Sequence, residues 1–195
     1  MNRVETFLTV VDEAWNPPAP GKTTLRIIGA SALSLQSAYD RGSRDADVIE
    51  TADLSKEVKN SLLKLAGPGT PLATRTSLYI QFVAPAIPFL PQKPLFHAVP
   101  SLAWLQHLSV EVLDATDVAV SKLKPFRPRD IADIKAMAES GKVEAQRLLA
   151  RFRAAVDWYS LDARAEEDLP RLQRNLNTVQ RDIFDVPETP FDSDS

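Results

Sequence analysis

Asp45 and Asp47 stand two residues apart in the run DADVI, alternating with Ala46 and Val48. Residues i and i+2 of a strand share a face, so both carboxylates project together while Ala46 and Val48 turn toward a core. Two close carboxylates repel one another unless they share a cation. Hard divalent cations such as Mg²⁺ accept such oxygen ligands and complete their shell with water and phosphate oxygens. Upstream, the run TLRII ends at Gly29-Ala30-Ser31. Gly allows close backbone approach there, and the start of a following helix offers free N–H groups to an anion. A strand–turn–helix–strand unit with both features suits metal-assisted phosphoryl or nucleotidyl transfer. Taken alone, a D-x-D pair is more often a solvated strand end, here with Arg41 and Arg44 as ion-pair partners.

Positioning these residues requires a small sheet. Phe7, Val10, Val11 and Trp15 recur at helical spacing, which predicts an amphipathic helix over 2–15, stopped by Asn16-Pro17-Pro18. Residues 24–28 read as a buried strand, 31–39 as the helix after it, and 45–49 as the second strand, reached through a turn at Asp40–Ser43. An amphipathic helix is expected over 55–65, and strands at LYIQFV (78–83) and LSVEVL (108–113). Between those strands recurrent prolines from Pro85 to Pro100, with Phe89, Leu90, Leu95 and Phe96, predict an extended but ordered loop. Beyond residue 114 the pattern is helical: 115–123, 129–139, 142–159 and 166–184. Leu169, Leu172, Leu176, Val179 and Ile183 form a seam on the last of these.

The expected fold class is therefore α+β: a small mixed-sheet α/β core over 1–114, a helical part over 115–186 and an acidic frayed tail over 187–195. A net charge of −3 gives no global attraction to nucleic acid or anionic membrane, so an RNA contact would need a local basic patch. The chain has no Cys, which removes thiol catalysis and thiolate metal sites and fits a reducing compartment. His97 and His107 lie far apart and read as structural or surface residues. No apolar run approaches the ~18–20 residues that span a bilayer. The first residues carry acids within their apolar stretch and lack a cleavage-site pattern, so a soluble cytoplasmic protein is expected.

Strand, Gly-[GAS]-Ser turn, helix, Arg44 and D-x-D together resemble the nucleotidyltransferase superfamily that includes DNA polymerase beta. The closer likeness is to the AbiEii-type nucleotidyltransferases, toxins of abortive-infection and toxin–antitoxin systems, and their bacterial relatives. Asp117-Val-Ala-Val-Ser-Lys122 followed by Arg127-Pro-Arg129-Asp130-Ile-Ala-Asp133 is similar to a second motif of that group. The resemblance spans about residues 22–140. It implies Mg²⁺ held by Asp45 and Asp47, and nucleotide phosphates met by Gly29, Ala30, Ser31 and Arg44. It further implies Lys122 neutralising a nucleoside triphosphate and Asp130 completing the charged constellation. The implied activity is transfer of a nucleoside monophosphate to a tRNA or protein acceptor, with an antitoxin as a further partner. Where relatives carry a third carboxylate, LYIQFV shows Gln81, and Glu111 on LSVEVL is its candidate substitute. The alternative is a catalytically lapsed fold that senses nucleotide or binds protein.

Other signals are bland. Gly21-Lys22-Thr23 lacks the spacing of a P-loop. Trp104 and Trp158 read as packing anchors. Residues 121–174 carry twelve Lys or Arg against nine acids, which suits either a phosphate-binding face or a solvated one.

Overall fold

The computed structural model describes residues 1–39 and 41–190, and the chain divides into two compact units. The first holds Met1–Ile87 and Phe96–Asp114; the second holds Pro88–Leu95 and the chain from Ala115 onward.

In the first unit, α1 (Arg3–Ala14) starts at a capping box in which Asn2 accepts from the Glu5 amide and the Glu5 carboxylate accepts from the Asn2 amide. β1 (Thr23–Ile27) leads into α2 (Gly29–Gln36), and β2 (Asp45–Ile49) into α3 (Lys56–Ala66). One α-helix and one strand were not anticipated, α4 (Pro71–Thr76) and the short β4 (Phe96–Ala98), the latter after β3 (Tyr79–Val83), nor was the 3-10 turn Pro100–Leu102. β5 (Leu108–Leu113) closes the unit. The turn expected at Asp40–Ser43 begins on a residue outside those described.

Among the described residues the sheet has the order β3-β2-β1-β5-β4. β1 runs parallel to β5 and antiparallel to β2, while β2 is parallel to β3 and β4 antiparallel to β5. The sheet is mixed, as expected of an α+β fold. On one face Leu25, Ile27, Ala46, Val48, Ile80 and Val110 are buried, where α2 packs on β2 and β5, and α3 on β3. Alternation sends Arg26, Asp45, Asp47, Gln81 and Glu111 to the opposite, polar face.

α1 is tied in by Asp12, which is 2% exposed and accepts backbone N–H bonds from Gln106, His107 and Leu108, each at 2.8 Å. This clamp sets where β5 begins, and so sets its register against β1.

In the second unit α5 (Ala115–Lys122), α6 (Pro128–Glu139), α7 (Ala145–Tyr159) and α8 (Ala165–Asp182) pack around Leu123, Ile134, Met137, Leu148, Phe152 and Leu172. The proline-rich segment is ordered, as its apolar residues suggested. Phe89 is fully buried in edge contact with Phe152 and Tyr159, at ring-centroid distances of 5.6 and 5.4 Å. Arg151 bridges the same segment to α5, donating to both carboxylate oxygens of the fully buried Asp117 and to the Lys93 carbonyl. Of the expected acidic tail, Thr189 bonds back to Gln180 and Glu188 to Arg181, and residues 191–195 lie outside those described. No described helix is long and apolar enough to cross a membrane.

Candidate functional site

In the first unit the first turn of α2, Gly29-Ala30-Ser31, meets β2 at Asp45 and Asp47. Gly29 has φ +67°, a left-handed conformation that Gly adopts without the strain a Cβ imposes. Its open side faces the D-x-D pair: a Cβ built on Gly29 would lie 3.1 Å from Asp47 Oδ2. The Ile28 amide donates to the Asp47 carbonyl at 2.8 Å, and the Ser31 hydroxyl donates to the Asp45 carbonyl at 2.7 Å. The turn thus grips β2 at both aspartates. Ser31 is 1% exposed and its hydroxyl proton is committed to this bond, so its side chain acts here on the position of β2.

The N-cap of α2 is Ile28, which supplies no side-chain cap, so the first-turn N–H groups of Gly29 and Ala30 have no side-chain acceptor among the described residues. The positive end of the helix dipole therefore acts on the space beside Asp47. This offsets part of the repulsion between two half-exposed carboxylates. On Asp45, one carboxylate oxygen accepts a short hydrogen bond from the Ser43 hydroxyl.

Among the described residues there is no group of three or more metal-ligating side chains. Among the described residues, the candidate donor set is therefore the pair Asp45 and Asp47, both hard oxygen donors on one face. Such a pair fits Mg²⁺, which keeps several waters and is held by one or two carboxylates plus substrate phosphates.

The register decides the geometry of the two candidate third positions. Gln81 lies directly across from Asp47 and is exposed, so a neutral amide occupies the place beside the pair. Glu111 lies on the same face but across from Arg26, and the two form a salt bridge at 2.8 Å. Arg26 also stacks over Phe96, its guanidinium carbon 5.5 Å from the ring centroid. The carboxylate of Glu111 is committed to that cation. Arg26 was not singled out from the sequence. Its signal was a charged residue between Leu25 and Ile27, both fully buried, in a strand otherwise apolar on that stretch.

In the second unit Lys122 and Asp130 come together, and Asp133 joins them. The Lys122 ammonium lies 2.5 Å from Asp133 and 3.4 Å from Asp130, and all three side chains are nearly inaccessible. Asp130 also accepts from the Arg127 amide at 3.0 Å, closing the first turn of α6. Arg44 is exposed, just ahead of Asp45.

A glycine turn gripping a D-x-D strand in a mixed sheet is what a nucleotidyltransferase-like domain is expected to show. Residues 6–181 match the family model described as nucleotidyltransferase of unknown function (DUF6036), and the chain belongs to that family. No curated protein and no solved structure matches the chain.

Proposed function

We propose that this chain transfers a nucleoside monophosphate from a nucleoside triphosphate to an acceptor, with Asp45 and Asp47 holding Mg²⁺. The observation that supports it is the seat of Asp47 against Gly29, where paired carboxylates adjoin an uncapped helix start in a chain of a nucleotidyltransferase family. The free N–H groups of Gly29 and Ala30 would receive phosphate oxygens, and Ser31 and Ser43 would hold Asp45 in place. When bound, the ion supplies positive charge to the phosphates and to the acceptor oxygen. An acceptor oxygen would bond to the α-phosphorus as the bond to the bridging oxygen breaks and pyrophosphate leaves, its proton passing to solvent. Lys122 and Asp130 enter the proposal as the charged part of the second motif, with Asp133 fixing the lysine. A toxin of a toxin–antitoxin or abortive-infection system, acting on tRNA or protein, is the proposed biological setting.

A second reading is favoured by one observation. The amide of Gln81 stands beside Asp47 and Glu111 is held by Arg26, so neither candidate third position supplies a further carboxylate to the pair. On that reading the domain binds nucleotide without transferring it.

Incubation with each labelled nucleoside triphosphate, Mg²⁺, total tRNA and cell extract separates the two. Transfer of label by wild type, abolished in Asp45→Ala and Asp47→Ala, is the outcome expected of the enzyme. Metal-dependent nucleotide binding without transfer supports the lapsed domain, and absence of both overturns either.

A further inference from the structure

The catalytic reading leaves unused an open cleft of roughly 700 Å³ in the first unit, lined by Arg3, Arg44, Ser77 and Tyr79 with Gly42 and Gly69 in its wall. Its charge is one-sided. Arg3 donates to the Ser77 carbonyl at 2.6 Å, and neither Arg3 nor Arg44 has a carboxylate partner among the described residues. Two guanidinium groups without a carboxylate partner among the described residues share this concavity in a chain of net charge −3. Thr74 and Thr76 also line the cleft, but their hydroxyl protons are given to the Thr70 and Leu72 carbonyls. Among the described residues, the side-chain donors left for a ligand are the two guanidinium groups, the Tyr79 phenol and the Ser77 hydroxyl, a donor-rich set that suits an anion.

The wall is shaped by backbone that ordinary residues avoid. Gly42, Gly69 and Ser77 have φ of +72°, +79° and +55°. For Ser77 this left-handed conformation is strained, since a Cβ disfavours it. It is held with the Ser77 carbonyl bonded to Arg3, which fixes one edge of that guanidinium at the cleft. A Cβ on Gly42 would stand 3.6 Å from Arg3 Nη1, an ordinary contact distance, which places Gly42 directly beside the cation.

The cleft is tied through the backbone to the strand that carries the carboxylate pair. Arg44 immediately precedes Asp45, its carbonyl accepts from the Tyr79 amide at 3.1 Å, and Tyr79 is the register partner of Asp45. At a rise of ~3.3 Å per residue, Arg44 is about 10 Å along the strand from Asp47. We propose that this cleft binds a backbone phosphate of a single-stranded nucleic-acid acceptor, with Arg3 and Arg44 on the phosphate and Tyr79 as a stacking surface for a base. This deepens the transfer reading and rests on it for the word acceptor. The binding itself stands apart from catalysis.

Anisotropy titrations of a labelled single-stranded uridine 12-mer across a KCl series test it, alongside Mg²⁺-nucleoside triphosphate binding. Arg3→Gln and Arg44→Gln are each expected to weaken RNA binding about tenfold at low salt and to reduce the salt slope by about 0.7. Arg44→Lys should keep most of the slope, and Arg3→Gln should leave nucleotide binding at the wild-type level. No RNA binding by wild type, or unchanged slopes in both Gln variants, overturns the proposal. Loss of nucleotide affinity in Arg3→Gln also overturns it, by assigning the cleft to the nucleotide's own phosphates. Asp45→Ala losing metal-dependent nucleotide binding while retaining RNA affinity would support the cleft. Failure of transfer in wild type with RNA binding intact would count against the enzyme alone.

Discussion

At the scale of single residues, the site depends on what stands beside Asp47. Gln81 is across from it on the neighbouring strand, and its amide can neither neutralise nor ligate as a carboxylate does. Gln81→Asp should therefore tighten metal-dependent nucleotide binding by about tenfold, an effect of ~1.4 kcal/mol. Titration of the nucleotide at several Mg²⁺ concentrations checks it. If affinity falls or stays level, position 81 is not part of the metal environment. Without metal the same variant should be less stable, because a third like charge joins the face. Gly29→Ala tests the other side of the pair. The added methyl meets Asp47 Oδ2 at 3.1 Å, and a left-handed non-Gly residue costs ~1–2 kcal/mol. A loss of that size in urea unfolding, together with weaker nucleotide binding, is expected. Full nucleotide binding in a destabilised variant would limit Gly29 to a structural role.

At the scale of elements, α1 holds β5 through one carboxylate. Asp12 receives three backbone amides from the segment entering the strand, and water cannot replace it at 2% exposure. A hydrogen bond to a charged group contributes ~1.5–3 kcal/mol, and buried donors left unpaired cost ~1–3 kcal/mol each. Asp12→Ala should thus cost about 3 kcal/mol or more, read as a lower urea midpoint. A change below about 1 kcal/mol would mean that this segment finds other acceptors. The consequence reaches the polar face, since β5 carries Glu111 and its register partner is Arg26 on β1. Hydrogen exchange in β1 and β5 should rise in this variant ahead of exchange in α3.

At the scale of the whole molecule, legibility followed the range of the interactions. The long helices α6, α7 and α8 declared themselves through periodic apolar residues, and β2 through alternation. α4 has six residues and β4 three, too few for a period to emerge. Sheet order was not readable, because β1 pairs with β5 across more than 80 intervening residues. The polar face could therefore be drawn strand by strand, but which residue stood beside Asp47, and which beside Arg26, awaited the register. Lys122 shows the same limit. α5 is buried on nearly all sides, so no solvent-facing stripe marked its lysine as enclosed, and Asp133 became visible as its partner only through packing. A cluster in the second unit, Tyr159 with Asp168 and Lys124, was equally unmarked. The Tyr159 hydroxyl donates to Asp168 at 2.5 Å and accepts from Lys124 at 2.8 Å. Burial first, then the hydrogen bond to Asp168, push the phenol up to about 12. An unfolded tyrosine ionises near 10, so between about pH 10 and 12 the unfolded chain releases a proton that the folded chain retains. Stability contributed by Tyr159 is therefore complete below pH 10 and is lost as pH rises toward 12, by an amount on the order of 2 kcal/mol. Tyr159→Phe should be less stable than wild type near neutrality, because Asp168 and Lys124 lose a shared partner, and its stability should decline less steeply over that alkaline range. Chemical denaturation at closely spaced pH values measures both slopes. Equal slopes would show that the phenol titrates alike in the folded and unfolded chain.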